Sequence, residues 1–360
     1  MPDYNDAFTY GVRKIQKSIE TVRPVVAFFK DRYFSNLIES ELETVSIETK
    51  RGNRIILPSV RRNDSAIKIG SVAPHQVNTY TPPYNFLEAS ATISDANKRV
   101  FGEPVETPYS KADRMQVIIA ERLNEGMRGP LLLNEEAQCS QIIKTGKVTP
   151  KGYTVNGDLF NFPEIDFNVD ADLVGGALNS LWTTSSDIIK EIQTICIAVF
   201  KKTGRMPTEM VVGSRTLAVM LGASKFTSAL DNRRIEGNMI RASQYAGYPG
   251  VSVNGTVNVP MVGDLMILSY VNDYQYSGGD AVDMIDANGL LLTTPGWGTM
   301  AYAGLYDQVG GYPTMVAGKN LVHAVQGDVS NHFVYKAFMQ TASLAIPTTL
   351  DAWYYKTVVA

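Results

Sequence analysis

The spacing of apolar and polar positions changes several times along the chain, and each change marks an element. Between residues 108 and 146 the period is helical. Met115, Ile118, Ile119, Arg122 and Leu123 recur on one face with charges opposite. Pro108 and the Ser110/Asp113 pair form a capping-box-like start, and Gly146 suits the end. Gly126 and Gly129-Pro130 interrupt the period, and Asn134, Glu135 and Glu136 suit a second start, so this is one long bent helix or two in tandem. A second helix is predicted from about 187 to 203, with Ile188, Ile189, Ile192, Cys196, Val199 and Phe200 on its apolar face and Gly204 as its stop. Ser214 to Leu221 reads as a short helix closed by Gly222.

Elsewhere the period is two. Val45, Ile47 and Thr49 alternate with polar residues, and with the turn Arg51-Gly52-Asn53 and Ile55 to Leu57 they predict a hairpin over 44–57. Asn156-Gly157 predicts another between Tyr153-Thr154-Val155 and Leu159-Phe160. Met210 to Val212, Val251 to Val253, Leu265 to Tyr270 and Leu290 to Thr293 read as strands, with turns at Asn254-Gly255, Gly278-Gly279 and Asn288-Gly289. Asn331 to Ile346 alternates over a long final strand. The class is therefore α+β.

Two segments fit no compact pattern. The first 45 residues read as an arm: a short amphipathic helix over Gly11 to Thr21, a break at Arg23-Pro24, then Phe28, Phe29, Tyr33 and Phe34 around Lys30, Asp31 and Arg32. That aromatic cluster is either a short helix docked on a core or an anchor for a neighbouring chain. From Pro58 to Tyr84 the chain is extended. Residues 46 to 75 carry six positive charges (Lys50, Arg51, Arg54, Arg61, Arg62, Lys68) against two negative ones (Glu48, Asp64). So long a loop is uncommon in a compact domain and is usually functional. It is a solvated surface loop or a hairpin projecting onto an acidic partner.

Composition sharpens this. Of the 360 residues only 19% are charged, below the roughly 25% of ordinary soluble domains, while 44% are hydrophobic. The net charge of −3 excludes a strongly basic nucleic-acid binder. No run approaches the ~18 apolar residues of a membrane span. Cys139 and Cys196 form no CxxC pair, and the chain reads as cytosolic.

Candidate chemistry is sparse. His75, His323 and His332 have no metal-ligand spacing, and no nucleophile elbow, phosphate loop or dinucleotide fingerprint occurs. Glu164, Asp166, Asp170 and Asp172 lack the EF-hand spacing and read as a solvated face. No catalytic, cofactor or metal residue is expected, which leaves an enzyme working through Asp/Glu pairs as a distant alternative. A low-charge chain with extended segments gains order by packing on other chains, which points to an assembly protein.

Several segments in order resemble the major capsid protein E family of tailed bacteriophages, the lambda-type capsid proteins. They are Phe28-Phe29-Lys30-Asp31-Arg32-Tyr33-Phe34, Tyr80-Thr81-Pro82-Pro83-Tyr84, Arg114 to Leu123 with Ile142-Ile143-Lys144-Thr145-Gly146-Lys147, Leu290 to Asp307 with Gly298 and Gly304, and Gln340-Thr341-Ala342-Ser343-Leu344. Gly129-Pro130 departs from a continuous spine helix.

The resemblance implies the Hong-Kong-97-type major capsid fold. Residues 1–45 would be the N-terminal arm and 46–90 an extended β-hairpin loop. Residues 91–184 would form the peripheral domain with its spine helix at about 110–146, 185–325 the axial domain, and 326–360 a return strand of the peripheral domain. It implies hexamers and pentamers of an icosahedral head around double-stranded DNA, held without sequence-specific contact. Scaffold, portal and decoration proteins are implied partners, the location is the virion after assembly in the host cytoplasm, and no membrane is involved. A cargo-enclosing nanocompartment of the same fold is the alternative shell. The inter-subunit contacts implied are Phe28, Phe29, Arg32 and Tyr33 of the arm, Arg54, Arg61, Arg62, Lys68, Tyr80 and Tyr84 of the loop, and Glu121, Glu135 and Glu136 of the spine, with the loop's cations pairing with the neighbour's acids.

Overall fold

The computed structural model describes residues 25–50, 75–101, 103–104, 108–153, 159–229, 235–236, 239–240, 243–276, 279–309, 312–326 and 334–360. Two β-sheets are joined by a long bent helix that packs on both.

The bent helix runs as an α-helix from Lys111 to Leu123, a π-turn from Asn124 to Arg128, and a second α-helix from Gly129 to Thr145. Ser110 caps its start by accepting the Asp113 N–H, and Gly146, at φ 71°, ends it in the left-handed region that glycine adopts without strain. Pro130 lies in the first turn of the second α-helix. Proline lacks the N–H of an ordinary helix interior and crowds the carbonyl four residues back. The wider π-turn before it accommodates that defect, so the axis bends without ending. Asn134 lies inside the second helix and recaps nothing.

A five-stranded sheet forms around the long strand Tyr335–Pro347. Tyr84–Ala91 and Leu321–Gln326 pair antiparallel with it, as does Gly298–Tyr302 further along, and Asn36–Glu39 adds in parallel to Gly298–Tyr302. The bent helix covers one face, burying Met127 against Ala89 and Met339, and Ile119 against Ala91 and Ala337. Gln138 stitches the two: its side chain donates to Ser343 O at 3.3 Å and accepts the Ala345 N–H at 3.1 Å.

A seven-stranded sheet takes the order Ser243–Gln244, Val251–Val259, Gly263–Tyr270, Glu209–Val212, Gly289–Thr293, Tyr354–Thr357, Val174–Ala177. Ile188–Thr203 packs on it through Ile188, Ile192, Cys196 and Val199, and ends at Gly204 with φ 76°. Trp297 sits where the chain passes from one sheet to the other. It stacks on Trp353 at 4.1 Å between ring centres, and Trp353 Nε1 donates to Ile143 O at 3.0 Å. These rings and the bent helix make one continuous core.

Val45–Lys50 pairs antiparallel with His75–Tyr80; the turn at 51–53 and the return strand 55–57 expected for it lie outside the described residues. Asn254-Gly255 is not a turn. It is a bulge inside Val251–Val259, with Gly255 at φ 139°, and the strand reverses further on before Gly263. The final strand Tyr354–Thr357 belongs to the seven-stranded sheet, where it continues the hydrogen bonding of Gly289–Thr293; only Tyr335–Pro347 returns to the spine. After Thr293 the chain crosses to the five-stranded sheet at Gly298, and Val174–Ala177 forms the edge of the seven-stranded one.

Candidate assembly surfaces

For the short helix Phe28–Tyr33 the sequence left two readings, a helix docked on a core and an anchor for a neighbouring chain. Its aromatic side chains lie fully inside the subunit. Phe28 and Phe29 pack edge-on against Tyr270, and Tyr33 lies over Trp297. Six residues make too short a helix to stand alone, so it is held by long-range polar bonds. Glu136 Oε1 accepts the Phe29 N–H and Oε2 the Lys30 N–H, each at 2.8 Å, and Tyr270 OH donates to Oε1 at 3.0 Å. Glu135 pairs with Lys30 Nζ and accepts from Tyr302 OH at 2.9 Å. Arg32 grips Glu209 of the seven-stranded sheet, its Nε at 2.7 Å, and donates through Nη1 to Tyr245 OH at 2.7 Å. The helix thereby fastens the bent helix to both sheets.

Phe28, Phe29 and Tyr33 are thus buried within one chain, and Arg32, Glu135 and Glu136 each have partners within it. Apolar area and ionic groups here are satisfied internally. Burial pushes the Glu136 carboxyl up to about 7, against the hydrogen bonds from Lys30, Phe29 and Tyr270 that favour its ionised form. The Arg32 guanidinium is raised chiefly by its hydrogen bond to Glu209.

Tyr80 is half-buried against Phe167, ring centres 5.4 Å apart. Tyr84 and Glu121 are exposed and remain available. Arg54, Arg61, Arg62 and Lys68 lie outside the described residues. The ribbon Val45–Lys50 with His75–Tyr80 leads to them, closed at its last described pair by Lys50 opposite His75.

Phe86, which the sequence did not single out, extends an exposed aromatic row from Tyr84. Tyr84 is 41% exposed and Phe86 55%. Phe86 stacks on Phe338 at 5.4 Å and Tyr84 stands edge-on to Tyr306 at 5.7 Å. These side chains line the face of the five-stranded sheet away from the bent helix. Leu37 and Ile38 are also exposed, on the edge strand Asn36–Glu39. The alternation Tyr84, Phe86, Glu88 carried the signal, but nothing local told which face would be covered.

Among the described residues no group of His, Cys, Asp and Glu is placed to hold a metal ion. Both thiols are buried, and burial pushes that of Cys196 up to about 12. Lys147 bridges Glu164 and Asp166 at 2.9 and 3.0 Å, and Lys202 pairs with Asp170. His323 lies 3.6 Å from Asp307. No described helix is long and apolar enough to cross a membrane.

The sequence model of the phage major capsid protein E family matches residues 11–358. The chain belongs to the phage major capsid protein E family. It is a capsid shell protein with the Hong-Kong-97-type fold. Solved structures agree on that fold at low identity. A putative capsid protein of a prophage of E. coli CFT073 superposes with a TM-score of 0.64 at 14% identity, over 98% of this chain and 97% of that one. The mature capsid of bacteriophage PhiM1 gives 0.51 at 11%, over 96% and 91%. The capsid of Ralstonia phage GP4 gives 0.51 at 11%, over 97% and 96%. No curated protein matches the sequence.

Proposed function

We propose that this capsid protein closes into hexamers and pentamers of an icosahedral head around double-stranded DNA, assembled in the host cytoplasm. Scaffold, portal and decoration proteins are its proposed partners. The observation that carries the reading is the extended ribbon at Val45–Lys50 and His75–Tyr80, which leads away from the core into a segment rich in Arg and Lys.

In a closed ring each copy presents the same two surfaces head to tail. The ribbon of one copy would lie over the spine region of the next, with Tyr80 and Tyr84 at its root. Glu135 and Glu136 are used within the subunit, so exposed Glu121 is the proposed acidic partner of Arg54, Arg61, Arg62 and Lys68. Such rim charges set register and encounter rate more than affinity. Electron microscopy of the expressed protein tests the reading: rings of six and five copies support it, and rings of any other single number overturn it.

A further inference from the structure

A cavity of about 210 Å³ opens beside the π-turn of the bent helix. Its charged lining is Lys30, Arg128, Lys319 and Glu135, with Asn320, Tyr302 and Thr341 as neutral polar groups beside Leu131 and Leu132. Three cations and one carboxylate leave a local charge of +2, in a chain whose net charge is −3.

The four charges are not equivalent. Glu135 is already engaged by Lys30 Nζ and by Tyr302 OH, so the cavity's negative charge is spent inside the fold. Arg128 donates through Nη1 to the neutral Asn124 Oδ1 at 3.1 Å, which orients the guanidinium and leaves its charge intact. Lys319 is held in place through its main chain, its carbonyl accepting from Thr341 Oγ1 at 2.7 Å. Lys319 is thereby part of an anchored loop at the cavity's edge. Arg128 is the last residue of the π-turn, and such turns re-aim side chains relative to a regular helix.

We propose that this cavity binds a phosphate group, with Arg128 and Lys319 as its charged donors and Asn320 as a neutral one. A planar guanidinium matches phosphate oxygens in pairs, while an ammonium acts as a point charge. The phosphate comes either from a nucleic-acid backbone or from the free anion. The site does not depend on how many copies close a ring, because every lining residue comes from one chain.

The test is a titration of the purified full-length protein with sodium phosphate at constant ionic strength set by chloride, read as a melting-temperature shift. A short DNA duplex is titrated in a parallel arm. The R128A/K319A double variant is compared with wild type, with Arg128→Lys as a charge-keeping variant and Lys225→Ala as a control far from the cavity. Wild type and the control are expected to show a saturable shift, weakened at least about tenfold in the double variant and partly kept in Arg128→Lys. Equal weakening in the DNA arm assigns the phosphate to a nucleic-acid backbone; weakening with free phosphate alone assigns it to the anion. A double variant that melts cooperatively and titrates like wild type in both arms overturns the proposal, as does the absence of any saturable shift in wild type. Ring formation with no such shift sinks the site while leaving the shell reading intact.

Discussion

Glu136 accepts the backbone N–H of Phe29 at 2.8 Å across 107 residues of sequence. The carboxylate stands in for the missing cap of a six-residue helix and fixes the root of the N-terminal arm to the spine. Removing it leaves the Phe29 and Lys30 amides without this acceptor, while the Tyr270 hydroxyl keeps the Val26 carbonyl at 3.3 Å. Each orphaned group costs about 1–3 kcal/mol. Glu136→Ala is therefore expected to lose about 3 kcal/mol of stability and to reduce assembled particles, checked by urea denaturation and by particle yield.

The same residue gives a pH dependence. The ordinary value of the carboxyl is 4.5, and burial raises it to about 7 in the folded protein. Between those values the native state holds a proton that the unfolded chain has lost, so stability falls as pH rises through the window and levels off above it. Glu136→Gln carries no titrating proton. Its melting temperature relative to wild type should rise between about pH 5 and pH 7 and then stay constant. Melting curves across that range check this, and parallel profiles for the two proteins would exclude Glu136 as the source.

Glu103 behaves oppositely. Burial alone would raise it, but hydrogen bonds from Arg114 and from the Val100 and Tyr109 N–H groups outweigh burial and hold it below the usual carboxylate range. Its stabilisation is present above the unfolded value and is lost as pH falls through the lower folded one. The pair with Arg114, 2.9 Å apart, is almost wholly buried. Arg114→Ala strands a buried carboxylate and should cost about 3–5 kcal/mol, whereas the double change Glu103→Leu with Arg114→Met should cost clearly less. A double-mutant cycle by chemical denaturation measures the difference.

Gly213 tests packing rather than charge. A Cβ there would stand 2.1 Å from the Asp286 carbonyl oxygen and 2.4 Å from that of Ala287. Both are main-chain atoms that cannot swing aside. Gly213→Ala should therefore cost more than the roughly 1 kcal/mol of a typical substitution and deplete soluble protein, checked by expression and thermal melting.

The elements with a strong local period were legible in the chain. Ile188–Thr203 with its Gly204 stop, the Ser110 cap and the Gly146 end all follow from side chains within a few residues of each other. The hairpin pairing Tyr153 with Leu159 follows likewise. What was not legible is long-range. The aromatic run at Phe28 has interleaved charges and resembles an exposed anchor, yet Lys30 and Arg32 meet Glu135 and Glu209, and Glu136 takes its main-chain N–H groups, all more than 100 residues away. Asn254-Gly255 has turn chemistry, but the flanking strand pairs on both sides of it and turns it into a bulge. Burial of this kind depends on partners far along the chain and has no local signature, whereas Tyr84 and Glu121 are exposed and keep their proposed place.

Reversing the loop's charge tests the proposed contact between copies. Arg61→Glu with Arg62→Glu should lower particle yield severalfold, and Glu121→Lys in the same chain should restore part of it. Unchanged assembly in the double variant would remove the loop's cations from the interface.

The mass of the purified protein in solution addresses self-assembly most directly. Sedimentation velocity, supported by negative-stain microscopy, should find hexamers, pentamers or megadalton particles. A stable 39.5 kDa monomer under every condition of salt, pH and concentration would refute self-assembly of this chain into a shell.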